Sequence, residues 1–399
     1  MPLLYGNYTW ANGKCVERPD ATIVAVHTNL SGIIGYGEVV PLGTNYLASY
    51  ASGVRVGLKV LCPKLVGQDP TRIKVINDYM DFHLKGHPYV KSPIDMACWD
   101  ILGKVSGLPL CTLLGGNYSD EVQLSRSISQ GTAQEMADHI QAYKDQGYSR
   151  FQLKLGRDVF QDIERIKACH AVLSPGNTLV GDANGEYLTH QALQVAKATE
   201  NLTSFYIENP CQSYEENLTV RKHSNLPLVL DEIVTDLSTL VRAWHDHSVD
   251  MVNIKISKFG GITKAKEAIE FCINMGIAMV IEDTWGGDIT TSAILALASI
   301  IPPKLLFAAT DLNSYNTVKT GYFLASDVDG VRSKEGHKMT VPRSQPGLGV
   351  EPNWKIFEGY LVSSGATKTK YERSENRASL FDRREDESSL TSYCKTRIR

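Results

Sequence analysis

Between Phe151 and Lys255, five short apolar runs each end in a charged side chain. They are Phe151-Gln152-Leu153-Lys154, Leu179-Val180-Gly181-Asp182, Phe205-Tyr206-Ile207-Glu208, Leu228-Val229-Leu230-Asp231 and Met251-Val252-Asn253-Ile254-Lys255. Their endings are spaced by roughly two dozen residues, about one strand-plus-helix unit of an α/β barrel. Buried strands alternating with helices imply a parallel sheet. Two lysines and three carboxylates then share the face formed by the C-terminal strand ends, where barrels carry their chemistry.

The rest of the chain fits around that stretch. Residues up to Val40 alternate like strands, with β-branched Thr22-Ile23-Val24-Ala25-Val26 and a glycine-bearing, turn-like Gly32 to Gly37 before Glu38. Pro41 to Leu47 lacks periodicity and reads as a mobile loop, and Tyr50 to Leu114 is helical in pattern. Residues 1–120 are therefore expected to form an α+β capping domain. Strand-like runs at Val122 to Ile128, Phe151, Leu179, Phe205, Leu228, Met251, Ala278 to Ile281 and Leu305 to Ala309 make eight, so residues 121–340 are expected to close as a barrel. Thr132 with Glu135, and Asp158 with Gln161, match helix-start capping patterns. No glycine-rich phosphate loop follows a strand, which argues against a dinucleotide-binding sheet. Residues 341–362, with Trp354, Phe357 and Tyr360, are expected to pack back on the cap, and 363–399 to be a disordered tail.

Composition narrows the partners. The chain has 399 residues, 43% of them apolar, which is enough for a large core. A net charge of −3 points to no nucleic acid and no membrane as partner. The eight cysteines form no CxxC pair and read as buried reduced thiols. With no basic-then-apolar leader pattern at the N-terminus, a cytoplasmic location is expected.

Asp182, Glu208 and Asp231 repel one another if they converge unpaired. A hard divalent cation relieves that repulsion, and all-oxygen ligation with open positions suits Mg²⁺. An acid ending a strand is also a common helix N-cap, but three in succession at one depth favour the metal. A lysine beside such a cation has its pKa lowered and becomes a general base, the role expected for Lys154 and Lys255. The bland alternative, surface lysines in ion pairs, sits poorly with their apolar strand contexts.

Gln152-x-Lys154, Asp182-x-Asn184, Glu208-Asn209-Pro210, Asp231-Glu232, Asn253-x-Lys255 and Gly260-Gly261 occur in order and at barrel spacing. In these motifs the chain resembles the enolase superfamily, within its mandelate racemase/muconate lactonizing enzyme group. The resemblance implies a modified (β/α)7β TIM barrel under an α+β capping domain. It also implies Mg²⁺ on Asp182, Glu208 and Asp231, and abstraction of the proton α to a substrate carboxylate. Two departures are informative. Gln152 stands where many relatives carry a second lysine, and the seventh strand ends Ile281-Glu282-Asp283-Thr284-Trp285 without a histidine. Lys255 is thus expected to serve the face opposite Lys154.

The segments around His87 to Asp100, Arg126 to Gly131, Thr284 to Asp288 and Ala309 to Tyr315 look like a subgroup acting on small proline-like amino acids. Gln152, Asn184, Asn253, Asp283, Trp285, Asp311 and, from the loop, Tyr46 are the substrate-binding candidates. Trp285 reads equally well as a packing residue. The leading expectation is dehydration of cis-3-hydroxy-L-proline. The alternatives are epimerisation of a proline betaine or related amino acid, and a non-catalytic barrel used for binding. A homo-oligomer is expected.

Overall fold

The computed structural model describes residues 1–4, 6–324 and 337–357, together with the backbone strands Lys368–Tyr371 and Tyr393–Arg397. The β-branched run Thr22–His27 pairs antiparallel with Ile34–Val39, Thr22 opposite Val39 and His27 opposite Ile34. The glycines that suggested a turn at 32–37 mostly serve another purpose. Gly35 and Gly37 lie inside the second strand, where a Cβ would sit 2.1 Å from the Ala97 carbonyl oxygen and 1.9 Å from that of Pro93. Only glycine lets the helix Pro88–Ser106 lie directly on this strand. Helices Ala51–Leu65 and Ile73–His83 complete the cap, burying Val54, Leu58, Ile76 and Met80 against the same sheet and helix.

Eight parallel strands form the barrel, neighbours in chain order: Arg126–Ile128, Arg150–Lys154, Thr178–Asp182, Phe205–Glu208, Leu228–Leu230, Met251–Lys255, Ala278–Glu282 and Leu306–Ala309. A parallel bridge from Leu124 to Ala309 joins the last strand to the chain just before the first. Seven helices of nine or more residues, from Ala133–Lys144 to Asp288–Ser299, occupy the crossovers and cover the outside, with the single turn Ile256–Phe259 added after the sixth strand, giving the modified (β/α)7β barrel with its α+β cap. The Thr132–Glu135 capping box forms, and Asp158 accepts from the Gln161 N–H. Inside the barrel Val180, Val229, Met251 and Val280 make an apolar floor with Tyr206 and Phe307, beneath the charged strand ends at the mouth.

Val122 to Ile128 is not one strand. Glu121–Gln123 pairs antiparallel with Lys338–Thr340, whereas Arg126–Ile128 begins the barrel. At Leu124 and Ser125 the chain changes partner: the Leu124 N–H donates to the His337 carbonyl and the Ser125 N–H to that of Ala309. Alternation alone does not reveal such a switch, because side chains keep alternating through it.

Trp354 packs its ring 5.9 Å from that of Tyr36 in the cap, while Tyr360 lies outside the described residues. At the tail, Tyr393–Arg397 runs parallel to Thr22–His27 and Lys368–Tyr371 runs parallel to it in turn. Both strands fall within 363–399, the stretch expected to be a tail. The free edge of Thr22–His27 offers unpaired N–H and C=O groups that a short extended segment can satisfy. The remainder of 358–399 lies outside the described residues.

Three buried acids of the cap fasten it to the barrel and to the segment that follows it through backbone donors. Glu38 accepts from the N–H groups of Gly287 and Thr290, Asp95 from Thr263, and Asp100 from Leu348. Glu38 and Asp95 thereby satisfy N–H groups at the starts of two barrel helices. This docking holds the loop at 41–49 beside the barrel mouth. The seven described cysteines are free thiols and six are buried. No helix among the described residues is long and apolar enough to cross a membrane.

Candidate active site

The strand register sets the site. Lys154 pairs with Asp182 and Asp182 with Glu208. Glu208 pairs with Val229, so Asp231 stands two residues ahead. Val229 pairs with Met251, so Asn253 is level with Asp231, and Lys255 is two residues further again. The advance is four residues over the four steps from the second strand to the sixth. An eight-stranded barrel with a shear of eight slips about one residue per strand. All five side chains therefore keep one height at the mouth, and Lys154 and Lys255, from the second and sixth of eight strands, stand on opposite walls.

The buried side chains pair closely. The Lys154 ammonium donates to Asp182 at 2.5 Å. Lys255 donates to Asp231 and to the Tyr46 hydroxyl, with Glu282 at 3.5 Å. Lys258 donates to the other Asp231 oxygen at 2.9 Å. Glu208 has neutral donors only: the Gln152 amide at 2.9 and 3.0 Å and the Asn253 amide at 2.7 Å. The Asn184 amide bridges Asp182 and Glu232, each at 2.9 Å.

The titration behaviour follows from these partners. Burial, then the charges of Asp182 and Asp231, raise Glu208 well above the usual carboxylate range. Burial and the same two acids push Glu232 up to about 7. Burial would raise Asp231 too, but Lys255 and Lys258 outweigh it and hold the group low. Burial works to lower Lys154 and Lys255, yet Asp182 and Asp231 respectively outweigh it and raise both.

Among the described residues no three acidic, imidazole or thiol groups stand close enough to hold an ion as they are, since the lysines take up the oxygens of Asp182 and Asp231. The donor set nevertheless suits a hard cation. Asp182, Glu208, Asp231, Glu232 and Glu282 face three ammonium groups, Lys154, Lys255 and Lys258, which leaves a surplus of two acids. Asn184 Oδ1, Glu232 Oε2 and Asn253 Oδ1 are buried acceptors without a hydrogen-bond partner. Unmatched buried anions and acceptors of this kind are stabilised by an oxygen-loving cation.

Over this cluster lies a cleft of about 460 Å³, counted to its open side, lined by both lysines, Gln152, Asn184, Glu282 and Asp283. Aromatic rings close it. Tyr46 comes from the cap loop, Tyr8 and Trp10 from the N-terminal segment, and Trp285 and Tyr315 follow the seventh and eighth strands. Trp285 meets both readings made of it. It lines the cleft, and it packs against Tyr8 and Tyr315 with its indole N–H on Asn316. Asp283 lines the cleft, but its oxygens are engaged by the Ser257 and Thr284 N–H groups, and burial raises it to about 6. Asp311 lies outside the lining: it caps the turn Leu312–Tyr315, accepting from the Ser314 N–H, while Thr310 and Leu312 line the cleft on either side of it. Asn253 is likewise beneath the cleft rather than on it, holding Glu208.

Sequence reasoning did not single out Glu282, Glu232, Lys258, Tyr8 or Tyr315. Lys258 lies on the single turn Ile256–Phe259, too short to show periodicity. Glu282 was visible as the end of the seventh run, one residue before the acid that was chosen.

Two family models match the chain: the mandelate racemase/muconate lactonizing enzyme N-terminal domain over residues 14–115, and the enolase C-terminal domain-like model over 135–356. A cis-3-hydroxy-L-proline dehydratase of Roseibium aggregatum is 48% identical over 90% of this chain and 95% of its own. An N-succinyl-L-Arg/Lys racemase of Bacillus cereus is 29% identical over 90% of this chain and 92% of its own. A crystal structure from Roseovarius nubinhibens, a mandelate racemase/muconate lactonizing enzyme complexed with magnesium, superposes with a TM-score of 0.83 at 33% identity, covering 89% of this chain and 94% of that one. By fold, strand-end residues and these matches, the chain belongs to the enolase superfamily, in its mandelate racemase/muconate lactonizing enzyme group.

Proposed function

We propose that the protein is a Mg²⁺-dependent hydro-lyase that removes water from cis-3-hydroxy-L-proline to give a pyrroline-2-carboxylate. The observation that carries this reading is the pair of lysines lining opposite walls of one cleft, with no histidine among its described lining residues. The 48% identical dehydratase supports the same substrate. Asp182, Glu208 and Asp231 would hold the Mg²⁺, which when bound supplies positive charge where the substrate carboxylate gains negative charge.

The chain's own groups do the rest. In cis-3-hydroxy-L-proline the hydroxyl and carboxylate share a ring face, so the α-hydrogen lies on the face opposite the hydroxyl. Lys154, as the amine, takes the α-proton from one side. Lys255, as the ammonium, gives a proton to the departing hydroxyl on the other. The C–H electron pair passes first onto the substrate carboxylate and then forms the ring double bond as the C–O bond breaks; water leaves, and the enamine product tautomerises to the cyclic imine. Glu282 and the Trp285 ring, both on the cleft, receive the ring ammonium. Gln152, a neutral donor to Glu208, fixes that carboxylate without adding a third positive charge to the cleft. The aromatic cover excludes water from the reacting groups.

The test is a panel of proline derivatives incubated with the protein and Mg²⁺ and read by mass spectrometry. Loss of one water from the cis-3-hydroxy compound, abolished by chelation, is expected; no water loss with Mg²⁺ present contradicts the reading. A second reading, epimerisation of a proline betaine or related amino acid, rests on the same lysines, which can remove a proton from one face and return it to the other. The racemase relative favours it. Inverted product from a substrate without a hydroxyl would select it.

A further inference from the structure

Behind the active cleft lies a second, larger cavity of about 1230 Å³, counted to its open side. The two cavities have three lining residues in common, Tyr8, Ser127 and Tyr315. These come from the N-terminal strand, the first barrel strand and the turn after the eighth, so three distant parts of the chain meet to build one partition. The partition is well supported. The Tyr8 ring stands edge-on to Tyr315 at 6.0 Å and to Trp285 at 5.1 Å. The Ser127 N–H donates to the Tyr315 hydroxyl at 3.2 Å. The buried Arg126 lays its guanidinium 4.0 Å over the Tyr315 ring and donates to Ser314 at 2.6 Å. Packed aromatic rings with few rotatable bonds make a stiff wall.

The chamber beyond differs chemically from the cleft. Among the described residues its lining has no acid, lysine or arginine; it mixes polar groups such as Asn7, Gln130, His139 and Gln146 with Ile128, Ala142 and Tyr143. Gln130 has a buried side-chain N–H₂ group without a hydrogen-bond partner, a donor that a carbonyl oxygen would satisfy. Resting on the α-proton chemistry proposed above, we propose that the Tyr8–Tyr315 partition sets the upper size limit of the substrate, and that the chamber behind it is a closed-off subsite for a neutral acyl extension of the amino acid. A free ring amino acid needs only the cleft. An N-acyl derivative needs the space beyond the partition, where its carbonyl meets amide donors and its chain meets Ile128, Ala142 and Tyr143.

The experiment uses the full-length protein with Mg²⁺ and two probes, cis-3-hydroxy-L-proline and N-butanoyl-L-proline, and follows removal of the α-proton in D₂O. Three variants are compared. Tyr8→Val opens the partition with a β-branched residue suited to its strand, Tyr8→Phe keeps the ring, and Tyr315→Ala opens the other half should Tyr8→Val fail to fold. The ratio of acyl to free substrate should rise about tenfold or more in an opened variant, the scale of relieving a shape misfit, and stay at the wild-type value in Tyr8→Phe. Taking the ratio cancels any common effect on Lys154. An unchanged ratio in a folded, opened variant overturns the proposal, as does an equal rise in Tyr8→Phe. If the wild type leaves cis-3-hydroxy-L-proline untouched, the dehydratase reading fails separately. Calorimetric binding of N-butanoyl-L-proline then decides the partition: tighter binding to the opened variant supports it, and equal binding overturns it.

Discussion

Lys154 and Lys255 sit at the same height on opposite walls of one cleft, yet their surroundings differ. Lys154 has one carboxylate in contact, Asp182, and Tyr8 nearby. Lys255 touches Asp231 and Glu282, shares Asp231 with Lys258, and also meets Tyr46 from the cap loop. With Asp182 and Asp231 both engaged as the proposed metal ligands, Lys255 keeps Glu282 and the Tyr46 hydroxyl, whereas Lys154 keeps no contacting carboxylate. The comparison teaches that the pair is not symmetric in its contacts: the proposed base stands on the wall left without an acid, and the proposed acid on the wall that keeps one. Such asymmetry suits elimination better than epimerisation, in which both walls must do both.

The largest effect that could break this comparison comes from Lys154→Ala. Removal of the α-proton should fall by on the order of 10³-fold, within the range for loss of a general base. Circular dichroism should show an unchanged fold, and undiminished proton removal would show that the base lies elsewhere. Asp182→Asn comes next. Losing a charged oxygen should weaken Mg²⁺ affinity by about 10–100-fold, the range for disturbing a metal's ligand shell, as read by calorimetry. Normal affinity would remove Asp182 from the set. Lys255→Ala sharpens the contrast. Water loss should fall by about a hundredfold, while α-proton exchange into recovered substrate persists, because only the acid is missing. Equal loss of both would make the two walls equivalent. The smallest effect is that of Tyr46→Phe, which deletes one hydrogen bond to a charged group. Water loss should slow by about tenfold, in line with a contribution of ~1.5 kcal/mol, with the exchange step nearly unchanged.

Much of this was legible in the sequence because chemistry and periodicity coincide at strand ends. Lys154, Asp182, Glu208, Asp231 and Lys255 each close an apolar run, so the barrel and the cluster were visible together. The misread parts have local causes. Val122 to Ile128 keeps its alternation while the chain passes from one sheet to another. Asp311 follows the eighth strand as the candidates follow theirs, but its oxygen caps the next turn. Asp283 and Glu282 are adjacent and both acidic, and only the structure shows which is tied to backbone N–H groups and which faces Lys255. The aromatic cover was legible in part: Tyr46 and Trp285 were candidates, Tyr8 and Tyr315 were not. Tyr8 meets Tyr315, and Trp10 meets Tyr46, across long sequence separations that no local pattern reveals.

The asymmetry of the two walls is tested most directly by proton NMR of cis-3-hydroxy-L-proline incubated with the wild-type protein and Mg²⁺ in D₂O. Conversion to the pyrroline carboxylate, with no α-deuterated, inverted substrate building up, is the predicted result. Recovery of α-deuterated substrate of inverted configuration with its hydroxyl still in place would contradict it.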